Sequence, residues 1–428
     1  MKLWDKGQSV DELVESFTVG NDRELDLRLA IYDLKASKAH AEMLNAISIL
    51  SDDECAKLLT ELDNLLHDLE NGEFVIESDF EDIHSKIEFE LTDKLGDTGK
   101  KIHTGRSRND QVLVCMHLYM KDEITEIKGL IKDLFDLLIL RSGENSDTIM
   151  PGYTHMQAAM PSSFGLWFGA YAETLIDDLF LLNAAYRIAD QNPLGSAAGF
   201  GTSLPINRSM TTELLGFKTL KYNVVAAQMS RGRLEQQMAS AIASVAATLS
   251  KMAGDVCLYI SQEFNFVSLP DELTTGSSIM PHKKNPDVFE LIRARCNRIQ
   301  ALPNQITMVT GNLNSGYHRD FQELKELLFP AIDKIKDCLY MMHFMVKNLK
   351  INKNIMDDTR YRFIFSVEEV NNKVRNSIPF REAYKEVARN ISNGSFQPSR
   401  KINHTHEGSI GNLCLDQIKS KFYSAYRI

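Results

Sequence analysis

The stretch from Thr274 to Asp287 carries Gly276, Ser277, Ser278, Met280, Pro281, His282, Lys283, Lys284, Asn285 and Pro286 in close order. Gly276 and the two serines make a flexible turn whose N–H groups can converge on an oxyanion, and Lys283 and Lys284 add positive charge suited to a carboxylate. Asn285 is expected to cap a helix whose first residue is Pro286, so the loop ends on the positive end of a helix dipole, with Glu290 one turn further on. We read the set as a reaction centre. A bare Gly-Ser-Ser turn before two lysines also serves as an ordinary solvated loop; the whole string is far more specific.

Three other polar stretches carry groups of matching chemistry. Ser107, Arg108 and Asn109 sit in a run without large apolar side chains just before a long apolar period, and Arg108 is suited to gripping a carboxylate bidentately while its neighbours donate hydrogen bonds. An ordinary capped loop is the alternative there. Thr154, His155 and Gln157 follow Pro151 and Gly152, which break a helical stretch; a histidine beside a helix start is a candidate proton carrier, although a lone histidine is more often structural. Tyr317, Gln322 and Lys325 lie in a mixed polar segment ahead of a further helix. His84, next to Glu81 and Asp82, opens another helix, and by itself reads as a polar neighbour.

Long helices must position these groups. Leu113, Met116, Met120, Ile124, Ile127, Ile131, Leu134 and Leu138 repeat at three- and four-residue steps, the pattern of a bundle seam. Met238, Ile242, Val245, Leu249, Met252, Val256 and Ile260 repeat it, and the part from Met238 to Ser250 carries no charge. So apolar a helix is expected to be buried all round, which one chain alone does not supply; this predicts a bundle shared between subunits. From about Asp22 to Glu70 the pattern is also helical, and no clear strand alternation competes with it. The glycine-rich loop from Asn192 to Thr202 lacks the spacing and the preceding strand of a dinucleotide-binding turn.

Composition narrows the class. A net charge of −10 with scattered Lys and Arg gives no support to nucleic-acid binding. The cysteines, Cys55, Cys115, Cys257, Cys296, Cys338 and Cys414, are widely spaced without a CxxC pair and read as reduced core residues of a cytoplasmic protein. Residues 1–10 show no apolar leader, and no long uninterrupted apolar run points to a membrane.

The loop from Gly276 to Pro286 resembles the signature of the fumarase/aspartase superfamily, whose members eliminate a group from a succinyl unit to leave fumarate. Gly105 to Val112 and Pro151 to Gln157 narrow the resemblance to the argininosuccinate lyases, as do Ser37 to Ala41 and Pro379 to Ala383. The resemblance implies an all-α subunit of three domains, 1–105, 106–350 carrying the signature loop, and 351–428. Its long central helices form a shared twenty-helix bundle in a homotetramer, with each active site drawn from three subunits. It implies the last step of arginine biosynthesis, with Ser277 as base and Lys283 and Asn285 stabilising the intermediate. His155, paired with Glu290, becomes the candidate acid. Ser107, Arg108 and Asn109 would bind the succinyl carboxylates with Thr154, Gln157 and His84 nearby, and Tyr317, Gln322 and Lys325 would contact the arginine end. This chemistry requires neither metal nor organic cofactor.

Departures from the family pattern are specific. Phe17 to Asp22 lacks a serine expected near Gly20, Ala36 replaces a glycine, and Ser230-Arg231-Gly232 differs from an acidic Ser-Asp-Arg-Asp pattern. His282 stands where glutamine is common and is similar to adenylosuccinate lyase, which makes that enzyme the second expectation. A catalytically silent helical scaffold, as in the lens crystallins related to this family, is the third; a set such as Ser277, Lys283, Asn285, His155 and Glu290 has no use in a purely structural bundle.

Overall fold

The computed structural model describes residues 11–77 and 79–427, and 66% of the structure is helical. The chain divides into two compact units. The first takes Met1–Ile127, Leu181–Ser244 and Arg298–Ile335; the second takes Lys128–Phe180, Val245–Asn297 and Lys336–Ile428.

Helices α1 (Ala30–Ala46), α2 (Asp52–Glu70) and α3 (Ile83–Leu95) build the front of the first unit. The Ser51 hydroxyl accepts from the Glu54 amide while the Glu54 carboxylate takes the Ser51 N–H, a capping box that fixes where α2 begins. Leu34, Met43, Leu44, Leu58, Leu62, Ile87 and Leu91 close the core between these helices. Asp82 caps α3 by accepting from the Ser85 amide at 2.8 Å, which sets His84 in the first turn.

Helix α4 (Arg108–Glu144) follows, and every residue of its expected seam from Leu113 to Leu138 is buried. It starts where Ser107 stands as cap: Asn109 N–H donates to Ser107 Oγ at 3.3 Å, and Ser107 N–H donates to Asp110 Oδ1 at 2.8 Å. Asp110 Oδ2 also accepts from the amides of Gly195 and Ala197, at 3.0 and 2.9 Å, so the glycine-rich loop is tied to the start of α4.

After α4 the structure departs from the helical expectation. Strands β1 (Ile149–Thr154) and β2 (Gln157–Ser163) form an antiparallel hairpin before α5 (Phe164–Ala189). His155 and Met156 make its two-residue turn with φ of 52° and 60°. Two features conceal it in the sequence: prolines occupy both strands, Pro151 facing Pro161, and the turn lacks the Asn-Gly type of signal that two left-handed positions favour. Two further pairs of two-residue strands and two isolated bridges complete the β-structure among the described residues.

Helix α6 (Arg233–Tyr259) carries the second apolar period. Its Asp255 accepts from Trp167 Nε1 at 3.0 Å and Tyr171 OH at 2.6 Å on α5, giving the carboxylate buried partners in the second unit. By length and hydropathy α6 would pass for a membrane span. Helices α7 (Asp287–Ile299) and α8 (Glu323–Asn348) come next; α9 (Ser366–Arg375), α10 (Phe380–Ser392) and α11 (Leu415–Tyr426) finish the second unit, with Phe135 stacked on Phe422 at 3.7 Å between centroids.

Candidate active site

The first unit encloses a cavity of about 150 Å³, lined by His84, Arg108, Asn109, Tyr317, Gln322 and Lys325 together with Asp22, Asp26, Glu81, Asp82, Val112, Arg231 and Arg319. Six of the expected substrate-binding residues therefore converge although more than two hundred positions separate the first from the last. Ser107 stands beside them as the cap of α4.

His84 is buried, and its Nδ1 lies 2.8 Å from Asp33 Oδ2. Burial alone would push the imidazole down, but the charge and hydrogen bond of Asp33 outweigh it and hold His84 above its ordinary value. Burial likewise opposes ionisation of Asp33, and the charge of His84, the hydrogen bond from it and the charge of Arg106 together hold that carboxyl below its usual value. Both shifts favour the charged forms, imidazolium against carboxylate, at the cavity wall. Arg108 Nη1 meets Glu81 at 2.8 Å and Asp82 at 3.2 Å, and its Nη2 donates to Ser85 Oγ at 2.7 Å.

At the other side of the cavity, buried Lys325 sits 2.6 Å from both Asp22 and Asp26. Burial works against its charge, and the two carboxylates reverse the effect and raise it. Asp22 is pushed up to about 6 chiefly by burial, with Lys325 opposing. Gln322 Nε2 donates to the carbonyls of Thr18 and Val19 at 3.0 and 3.1 Å, and Arg319 reaches Thr18 O at 2.6 Å. The segment that lacks the family serine is consequently held by its backbone, with Gly20 at φ 52°.

The second unit holds the remaining candidates. Thr154, His155 and Gln157 lie exposed at the tip of the β1–β2 hairpin, and the His155 side chain makes no hydrogen bond or ion pair among the described residues. The signature loop is pinched at its base: Thr275 N–H donates to Asn285 O at 3.3 Å and Asn285 N–H to Thr275 O at 2.8 Å. Inside that pinch, Ser277 Oγ accepts from the amides of Ile279 and Met280 at 3.3 and 3.1 Å. Lys284 is paired with Asp271, whereas Lys283 is exposed and makes no ion pair among the described residues. Helix α7 begins at Asp287 rather than Pro286, so Asn285 lies ahead of the cap position and spends its backbone on the bridge instead. Lys283, Asn285 and Glu290 share the wall of an open cavity of about 820 Å³ with Cys257 and Arg293. His155 does not line it, and no bond between His155 and Glu290 forms within the described residues of one chain.

Several residues escaped the sequence reading. Asp26, Asp33 and Asp110 are buried carboxylates whose partners lie far along the chain, and nothing local marks them. Asp33, His84 and Cys115 bring an oxygen, a nitrogen and a sulfur within 4.8 Å, a cluster invisible in the sequence. Burial raises the Cys115 thiol well above its usual value, and His84 Nδ1 is committed to Asp33, so this trio does not suit a cation.

A family model described as Lyase matches residues 5–301. The argininosuccinate lyase of Parabacteroides distasonis is 57% identical over 99% of this chain and 95% of that protein, and the one from Thermotoga neapolitana is 41% identical over 90% and 97%. Among solved structures, an EDDS lyase in complex with formate aligns over 99% of this chain and 90% of that one, with a TM-score of 0.75 at 22% identity. Class II fumarase from Schistosoma mansoni aligns over 100% and 97% with 0.72 at 16%. At those identities the structural likeness speaks for the fold alone.

Proposed function

This chain belongs to the argininosuccinate lyases, carbon–nitrogen lyases of the fumarase/aspartase superfamily, and we propose that it splits argininosuccinate into arginine and fumarate by a carbanion route with Ser277 as base. The observation that carries the reading is 57% identity to an argininosuccinate lyase across 99% of the chain.

The chemistry assigns the parts. Removing a proton beside a carboxylate leaves a dianionic aci-carboxylate that water stabilises poorly, so fixed cations and N–H donors must supply the difference. Lys283 is the counter-ion, with Asn285 as donor. Ser277 is a weak base until deprotonated; the two amides that point at its Oγ support it, since the same donors would stabilise an alkoxide. Arg108, Ser107, Asn109, Thr154, Gln157 and the His84 imidazolium take the succinyl carboxylates. For this Arg108 exchanges part of its pairing with Glu81 and Asp82 for the substrate. Expulsion of the guanidine nitrogen needs a proton, and His155 with Glu290 is the candidate donor.

A homotetramer of three-domain subunits, built on the twenty-helix bundle, belongs to the same reading, and so does a place in the cytoplasm. Within one chain 50% of an 18-residue apolar stretch of α6 is buried, which supports a helix completed by neighbouring subunits. Sites assembled from several subunits would also join His155 and Glu290, which one chain leaves apart. Sedimentation showing a stable monomer would remove this part of the proposal.

The decisive assay is fumarate release from argininosuccinate and, separately, from adenylosuccinate. Release from the first alone is expected. Release from the second alone would transfer the assignment to the enzyme that His282 is similar to, and release from neither would favour a silent scaffold.

A further inference from the structure

The cavity of the first unit contains one buried cation to which neither the family resemblance nor the proposed mechanism gives a task. Arg231 lines the cavity and is 5% exposed. Its Nη2 donates to Phe321 O at 3.0 Å, which fixes it beneath the segment carrying Gln322 and Lys325. Nη1 lies 3.1 Å from Glu235 Oε1, yet the two are out of line for a hydrogen bond, and among the described residues Nε has no acceptor either. Glu235 is fully buried and gives its other oxygen to the Gly232 amide at 2.7 Å. Gly232, at φ +82°, packs so closely that a Cβ would stand 2.8 Å from Thr310 Cγ2; the backbone bearing Arg231 is thereby held in place.

Among the other cations of the cavity, Arg319 is exposed and donates to Thr18 O, and the buried or half-buried ones are committed. Lys325 is shared by Asp22 and Asp26, and Arg108 is spread over Glu81, Asp82 and Ser85. A buried guanidinium with donors left over is unfavourable unless an acceptor arrives with the ligand. We propose that Arg231 reads the α-carboxylate at the arginine end of the substrate, an inference that rests on the lyase reading. The neighbouring carboxylates complete the complementarity: Asp22 and Asp26 offer acceptors to the α-ammonium of the same amino-acid group, so the zwitterion meets a cation and two anions in one wall. Discrimination follows from the chemistry, because an otherwise identical ligand without that carboxylate leaves Arg231 as it is in the free protein.

The test compares arginine with agmatine, the same molecule lacking the α-carboxylate, as inhibitors of the forward reaction. Three full-length proteins are used: the wild type, Arg231→Lys, and the double variant Arg231→Met with Glu235→Gln, which removes the guanidinium without leaving an ionised Glu235 unpaired. Circular dichroism and the thermal transition establish that each is folded. In the double variant, inhibition by arginine is expected to weaken about 10- to 100-fold, the scale of one charge-assisted hydrogen bond, while inhibition by agmatine and by fumarate is unchanged. Arg231→Lys, a point charge without the planar fork, is expected between the two. Equal weakening toward arginine and agmatine, or no weakening toward either, would overturn the assignment. Fumarate release from argininosuccinate by the wild type tests the lyase reading separately. Were it absent while calorimetric titration still showed Arg231 favouring arginine over agmatine, the activity would fall and the carboxylate site would stand.

Discussion

The cavity of the first unit and the signature loop of the second solve opposite problems with similar residues. In the cavity, Lys325 is 4% exposed and braced by two carboxylates, and the Asp33–His84 pair is closed off from water. In the loop, Lys283 is exposed and, among the described residues, Ser277 is held by two backbone amides. Binding groups gain from being fixed before the ligand arrives, since the ordering has then been met by folding. A base that must lose its proton gains instead from a strand of chain that can close over the substrate and exclude water. On the proposed mechanism recognition is stored in the fold, and chemistry is completed when the loop is covered.

Ser277→Ala gives the largest expected effect. Turnover of argininosuccinate should fall by about 10²- to 10⁴-fold, the range for a positioned base, with KM little changed. The loop's exposure means that the urea midpoint should barely move, within about 0.5 kcal/mol in stability. Full turnover in this variant would refute the base, and a large loss of stability would refute the division between a rigid cavity and a loosely held loop.

Lys325→Met attacks the other side of the comparison. Removing one member of a buried charge group leaves Asp22 and Asp26 facing each other, and a stability loss of about 3–5 kcal/mol at pH 7 is expected by urea denaturation. Its pH dependence has a definite sign. Burial pushes Asp22 up to about 6 in the folded protein with Lys325 opposing the rise, against an ordinary value of 3.8, so without the lysine the folded form binds its proton more tightly still. A group bound more tightly in the folded state adds stability as pH falls, so the deficit should shrink between pH 7 and 5. A pH-independent deficit would mean that the carboxylates are not the source of the loss.

How far the sequence reached follows the same division. The residues of the loop and of the Arg108 box are contiguous, so their chemistry is legible as strings, and the seams of α4 and α6 are legible as periods. His84, Gln322 and Lys325 were recognised only through resemblance, because what makes them a site is contact with Asp33, Val19 and Asp26, far away in the chain. Asp110 does not stand out within the string from Gly105 to Val112, although it joins two loops through three amides. The hairpin was missed for a local reason: its strands contain prolines and its turn contains neither glycine nor asparagine.

Asp110→Ala tests how much of the cavity's rigidity is imported from that joint. The substitution strips acceptors from the amides of Ser107, Gly195 and Ala197, which stay close to buried chain, and a loss of about 1–3 kcal/mol is expected. Because Ser107 caps the helix that presents Arg108, KM for argininosuccinate should rise more than kcat falls. The reverse order would place the effect on the chemical step, outside the cavity.

Met156→Gly is the smallest change and bears on the exposed half. Met156 holds φ at 60° in the hairpin turn while its side chain is 64% exposed, so the residue bears the steric cost of the left-handed region with little burial in return. Glycine adopts that φ freely but enlarges the unfolded ensemble, an entropic loss of about 0.4–1 kcal/mol against a relief of about 1–2 kcal/mol, so a net gain below about 1 kcal/mol is expected in thermal or urea unfolding. The informative measurement is turnover at that higher stability. If the strained turn aims His155 at the leaving nitrogen, kcat should drop as the turn relaxes even though the protein has become more stable. Unchanged kcat would mean that the hairpin tip only has to be present, with its aim set by the subunits that cover it.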